Sequence, residues 1–246
     1  MTYSLIIFSL LSVFSSQPVE ETIYFKSKDG IQVSADLYMA HDESAPFIVL
    51  FHQAGWSRGE YVEIAPDLNA LGYNCMAVDL RSGGSVNDIK NITNQNAIKG
   101  MKETKYVNAI QDMEAAIEYA RSNFATGKLI IWGSSYSSAL SLKLAGDMSD
   151  KIDGVLAFSP GEYFASQGKP RDFVTSGASK ISDPVFITSA RSEKNTWWGI
   201  YVAISSEKEY FLPKTAGNHG SRALWEKFSD SKEYWDAVKK FLKSIE

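Results

Sequence analysis

Phe47-Ile48-Val49-Leu50-Phe51 is a strand-length run with no polar residue on either side of its pleat. Such a run needs apolar cover on both faces. A half-solvated antiparallel sheet does not supply that, whereas a parallel sheet with helices above and below it does. The neighbouring segments keep the same demand. Apolar runs at 73–79, 128–132, 155–158, 184–188 and 209–212 alternate with stretches whose apolar residues recur at helical spacing. One such stretch carries Tyr61, Ile64, Ala65, Leu68 and Leu71, and another Val107, Ile110, Met113, Ile117 and Ala120. A helix over 194–204 and a terminal helix with Trp235, Val238, Phe241, Leu242 and Ile245 complete the pattern. Ahead of them, segments 22–26 and 33–38 flank Asp29-Gly30, a hairpin signal. The fold class is therefore α/β, with a mostly parallel central sheet of about eight strands flanked by helices and entered through an antiparallel hairpin. Only Gly161 to Asp183 lies between the strands at 155–158 and 184–188, too little for a large cap domain.

Several function classes drop out early. The net charge is −4 and Lys and Arg form no basic stripe, which argues against nucleic acid as a partner. The single cysteine, Cys75, excludes an internal disulfide and a Cys-rich metal site. Leu5 to Phe14 has the length of a signal-peptide apolar core, too short to span a bilayer, and the small Ser15 and Ser16 follow it. Residues 1–17 are thus expected to be a signal peptide without a basic n-region, and 18–246 a single domain, secreted or periplasmic, with no stable membrane insertion after cleavage. An uncleaved anchor or a buried N-terminal segment is the alternative.

In sheets of this kind ligands bind at the carboxyl ends of the strands. "GSSYS", Gly133 to Ser137, stands where the strand at 128–132 turns into a helix, and it matches G-x-S-x-G except that Ser137 replaces the last glycine. The pattern selects Ser135 as the exposed hydroxyl and turns Ser134 back into the sheet; small residues also occur at such turns for packing alone. A serine nucleophile needs a base. Of His41, His52 and His219, only His219, in "TAGNHGSR", has the position and loop freedom to reach the strand ends. Glu193 follows the strand that ends near Ser189, giving the chain order Ser135, Glu193, His219. Taken alone, Glu193 would equally suit a helix N-terminus. An oxyanion hole would draw on the backbone N–H of Tyr136 and that of Gln53 in "HQAGWSRGEY". Tyr163, Trp197 and Trp198 are candidates for an aromatic substrate pocket, with core packing as the alternative. The polar interval 86–105 is expected to form a partly helical pocket rim. His52 has no partner at metal-ligand spacing, so no metal is expected.

Carried by "HQAGWSRGEY", "VDLRSGG", "GSSYS", "SARSE" and "GNHG", the chain from about Phe47 onward resembles the α/β-hydrolases, close to the dienelactone-hydrolase-like serine esterases that lack an elaborate lid. The resemblance implies a carboxylic ester hydrolase for small to medium substrates, forming an acyl-enzyme on Ser135 without metal or organic cofactor. The same residues would serve a serine peptidase or amidase. A binding protein on a hydrolase scaffold is the non-enzymatic alternative. The chain departs from the family pattern in having Ser135 where dienelactone hydrolases have cysteine, His52-Gln53 where His-Gly is usual, and Ser137 for the last glycine.

Overall fold

The computed structural model describes residues 19–245, so the expected signal segment, 1–17, lies outside the described residues. The elements run β1 (Val19–Lys26), β2 (Gln32–Met39), β3 (Phe47–Phe51), α1 (Ile64–Ala70), β4 (Asn74–Val78), β5 (Ser85–Val86), β6 (Ile89–Lys90), α2 (Ile92–Lys99) and α3 (Ile110–Asn123). Then come β7 (Leu129–Ser134), α4 (Tyr136–Asp147), β8 (Gly154–Phe158), α5 (Phe173–Ala178), β9 (Val185–Thr188), α6 (Lys194–Ala203), β10 (Lys208–Phe211) and α7 (Ser231–Ser244). Eight strands form the main sheet in the order β1-β2-β4-β3-β7-β8-β9-β10. The β1–β2 and β2–β4 pairs are antiparallel, and every pair from β4 to β10 is parallel. The α/β-hydrolase fold expected from the sequence is the one observed.

β3 shows why its run is apolar throughout. Phe47, Val49 and Phe51 point into a core shared with Met113 and Ile117 of α3 and Leu140 of α4. Ile48 and Leu50 point the other way, against Leu68 of α1 and Val238 and Phe241 of α7. Each large apolar side chain so buried contributes about 1.5–3 kcal/mol, which a polar residue on either face would forfeit. The six parallel strands bring Phe51, Val78, Ser134, Phe158, Thr188 and Phe211 to one edge of the sheet.

Between β8 and β9 stand only a 3₁₀ turn, Ala165–Gln167, and the short α5, so that edge carries no large cap there. The interval 86–105 is partly helical, as its length and apolar residues imply. It also holds a hairpin the sequence reading lacks: β5 and β6 pair around Asn87 and Asp88, both at left-handed φ (50° and 60°). An Asx pair at the centre of a two-residue turn is the signal that marks it. α2 is capped by the Asn91 side chain, which accepts the Asn94 N–H, and is tied to β2 where Ser34 N–H donates to Thr93 Oγ1.

Candidate active site

β7 ends at Ser134 and α4 begins at Tyr136, so Ser135 alone makes the turn, at φ 58° and ψ −121°. A side-chain-bearing residue held there costs about 1–3 kcal/mol, which the surrounding packing must offset. The turn is closed by small residues. A Cβ on Gly133 would lie 2.4 Å from Ser138 Cα and 2.6 Å from the Ser137 carbonyl carbon. Ser137, in the place of a glycine, has work for its hydroxyl: Oγ accepts the Ser134 N–H at 2.9 Å and lies 2.8 Å from Phe51 O, stitching the turn to β3. Gly133→Ala is expected to destabilise by about 1–3 kcal/mol through overpacking, roughly 2–12 °C in Tm for a chain of this size. Thermal unfolding reads this directly, and an unchanged Tm would show that the turn yields freely.

His219 reaches Ser135 from the loop after β10. Its Nε2 is 2.8 Å from Ser135 Oγ, and its Nδ1 is 2.7 Å from Glu193 Oε1. A carboxylate only accepts, so Nδ1 carries the proton and the Nε2 lone pair faces the serine hydroxyl. Glu193 closes the 3₁₀ turn Arg191–Glu193 after β9, and its other oxygen accepts the Ser159 hydroxyl at 2.7 Å. Burial would raise the Glu193 carboxyl, but the hydrogen bonds from His219 and Ser159 outweigh it and hold the group below its ordinary value. Ser159 escapes sequence reasoning, with "FSP" at a strand end as its only trace. It is buried at the tip of β8, at φ 58°, and its Oγ also accepts the Gly220 N–H at 2.9 Å. One hydroxyl thus joins the Glu193 carboxylate to the His219 loop.

The structure corrects the expectation for Gln53. Its N–H points inward and donates to the buried Glu60 carboxylate at 2.7 Å, so it is not free to meet a ligand. The carboxylate has been taken out of water and needs donors; sequence alone does not reveal that Glu60 folds back onto the loop. Among the described residues, the N–H groups of Ala54, next in the chain, and of Tyr136, first in α4, donate to no protein acceptor. His52 is fully buried, and burial pushes its imidazole down to about 4. It is neutral: Nε2 accepts the Leu80 N–H at 2.9 Å and Nδ1–H donates to Gln53 O at 2.8 Å, pinning the loop after β3 to the end of β4.

The aromatic candidates separate. Trp197 is 0% exposed, with its indole N–H on Ser189 Oγ at 2.8 Å, so it belongs to the core and cannot line a pocket. Adjacent helical residues face different directions, and Trp198 is exposed, stacked on Tyr201 with Lys194 Nζ 4.3 Å from its ring centre. Tyr163 lies beside the site, its hydroxyl donating to Ser159 O at 2.8 Å. Tyr106, which the sequence did not single out, stacks on Tyr136 with ring centres 4.8 Å apart and brings the end of the 86–105 interval against the Ser135 turn. Among the described residues no group of three His, Cys, Asp or Glu could hold a metal ion.

A family model described as Hydrolase_4, serine aminopeptidase, S33, matches residues 42–195, a span that holds the His52 loop, Ser135 and Glu193. No curated protein sequence matches the chain. Among solved structures it is similar to a dienelactone hydrolase from Anabaena variabilis ATCC 29413, with a TM-score of 0.72 at 12% identity over 93% of this chain and 99% of that one. It is similar to the Pyrococcus furiosus esterase Pf2001, with a TM-score of 0.66 at 17% identity over 92% of this chain and 90% of that one. It is also similar to Est1E from Butyrivibrio proteoclasticus, solved with ferulic acid bound, with a TM-score of 0.67 at 15% identity over 91% and 98% of the two chains. At these identities the likeness is one of fold.

Proposed function

The chain belongs to the α/β-hydrolase family Hydrolase_4, serine aminopeptidase, S33, and from that premise we propose that it hydrolyses carboxylic esters of small to medium size through an acyl-enzyme on Ser135. The observation that carries the reading is the unbroken relay from Ser135 Oγ through His219 to Glu193. Ser135 Oγ attacks the ester carbonyl as its proton passes to His219 Nε2. The tetrahedral oxyanion takes the N–H of Tyr136 and of Ala54, the two free donors beside the turn. Glu193 steadies the imidazolium through Nδ1–H. His219 then gives the proton to the departing alcohol, and water attacks the acyl-enzyme by the same route, with His219 as base, to release the acid.

Two features favour esters. Three carboxylates in the segments that frame the site are engaged: Glu193 with His219 and Ser159, Glu60 with Gln53 and Ser134, and Glu162 with the N–H groups of Val174 and Thr175. An aminopeptidase needs an anionic group to receive the substrate's α-ammonium. The uncapped β8–β9 edge also leaves the serine open to compact substrates that need no lid, in keeping with the esterases among the fold relatives. A panel of p-nitrophenyl esters, from acetyl to decanoyl, run beside aminoacyl p-nitroanilides tests the assignment. The highest kcat/KM is expected for short and medium esters. Preference for an anilide would move the reading to a peptidase, and no turnover with an unreactive Ser135 would leave a binding protein on the scaffold.

A further inference from the structure

Glu60 ends up against the site without a part in the steps above. It lies in the 3₁₀ turn Arg58–Tyr61, just past the His52 loop, and its side chain is fully buried. Oε2 accepts the Gln53 N–H and Oε1 accepts the Ser134 hydroxyl, each at 2.7 Å. Ser134 Oγ in turn accepts the Ser221 N–H at 2.9 Å. Two segments therefore meet on one carboxylate, the loop that carries Ala54 and the turn that carries Ser135, and Ser134 ties to them the loop that carries His219. Each is fastened one or two residues from the group that acts. The approach is close enough that a Cβ on Gly220 would lie 2.5 Å from Ser134 Oγ. Behind, the Trp225 indole N–H donates to Glu60 O at 3.0 Å and fixes the turn itself.

We propose that Glu60 is a positioning residue of the hydrolysis, its two carboxylate oxygens holding the oxyanion loop, the nucleophile turn and, through Ser134, the histidine loop in register. The inference rests on the reading of Ser135, His219 and Ala54 given above. Its chemistry calls for the anion. Both facing groups, Gln53 N–H and Ser134 O–H, are donors, and an ionised carboxylate accepts from both. The acid form carries a proton of its own and keeps both partners only if the Ser134 hydroxyl turns away.

Burial works against that anion and raises the carboxyl to about 7, opposed by the bonds from Ser134 and Gln53 and by the nearby His219 and Arg222. Tyr61 beside it and Tyr136 of α4 are the other titratable groups that face it. A carboxyl raised on folding makes the folded state less stable as pH climbs from the ordinary carboxylate range to about 7, and the loss persists above it. Burying a charge at that cost is expected where activity, rather than folding, requires it.

Glu60→Gln keeps the shape and removes the charge, and it is compared with wild type in steady-state kinetics from pH 5 to 9 and in thermal unfolding at pH 8. The expected result is a kcat lower by roughly 10- to 100-fold, the scale of a small misplacement of reacting groups. KM should stay near wild type, and Tm at pH 8 should be unchanged or higher. The slope of log kcat/KM against pH around 7 should be shallower in the variant, because the component that follows the Glu60 carboxyl, raised to about 7, is lost with the charge. A wild-type kcat with an unaltered slope would overturn the role. So would a joint loss of kcat, substrate affinity and Tm with the slope preserved, the mark of a purely structural residue. Fluorophosphonate labelling of wild-type Ser135 is scored in parallel: its absence counts against the nucleophile, whereas a labelled wild type beside an unaffected variant counts against Glu60 alone.

Discussion

Ser135→Ala is expected to lower kcat by about 10⁴-fold or more, with KM and folding close to wild type. The hydroxyl is the only group removed, and the backbone at φ 58° accepts alanine no worse than serine. What remains is the pair of N–H groups at Ala54 and Tyr136 and the substrate-binding surface, which leave a small residual rate. The neighbouring Ser134→Ala is the control. Ser134 Oγ is buried and bonded to Glu60 and Ser221 rather than facing the site, so its loss should disturb alignment and leave substantial turnover. Steady-state kinetics on the two variants check this. Near-normal activity in Ser135→Ala would remove the serine mechanism.

Glu193→Gln is expected to cut kcat by about 10²- to 10⁴-fold. Its two oxygens face two donors, His219 Nδ1–H and the Ser159 hydroxyl. A glutamine has one oxygen and one NH₂ there: with the NH₂ toward Ser159 the hydroxyl must turn to accept it, and with the NH₂ toward His219 two donors meet. If the NH₂ faces His219, the imidazole is forced into the tautomer with its proton toward Ser135 and cannot act as base. If the oxygen faces His219, the tautomer survives but the imidazolium loses its counter-ion. In that case the ascending limb of kcat/KM moves to lower pH, because His219 gives up its proton more readily. Stability carries a sign as well. The Glu193 carboxyl is held below its ordinary value, so its ionisation contributes stability that is present above the ordinary carboxylate range and lost as pH falls through the folded-state value. The Tm gap between wild type and Glu193→Gln should therefore shrink in acid. Glu193→Asp, shorter but charged, should keep more activity than Glu193→Gln. A nearly silent Glu193→Gln would take the acid role from Glu193 while Ser135 and His219 stood.

The parts of this molecule that sequence makes legible are those fixed by local rules. β3 announces two-sided burial by having no polar residue, and the 3.6-residue spacing of Ile110, Met113, Ile117 and Ala120 marks the helix that covers it. Ser135, Glu193 and His219 can be placed together from the sequence because each follows a parallel strand, and strand ends converge by topology alone. What sequence does not disclose is how far a side chain reaches between loops. Glu60 takes the Gln53 N–H only because the 3₁₀ turn folds back on the loop, and that contact reassigns the free donor to Ala54. Ser159 meets Glu193 across neighbouring strands, with no more than its place at a strand end, in "FSP", to announce it. Trp197 and Trp198 read alike in a line of letters. Their burial differs because α6 packs one face on the core and presents the other to solvent.

The most direct test is to react the wild-type protein with a fluorophosphonate and map the modified peptide by mass spectrometry. One adduct, on Ser135, is the predicted result, with labelling that slows as His219 is protonated and vanishes in Ser135→Ala. An adduct on Ser134, or ester hydrolysis that proceeds unchanged with Ser135 unmodified, would contradict the account.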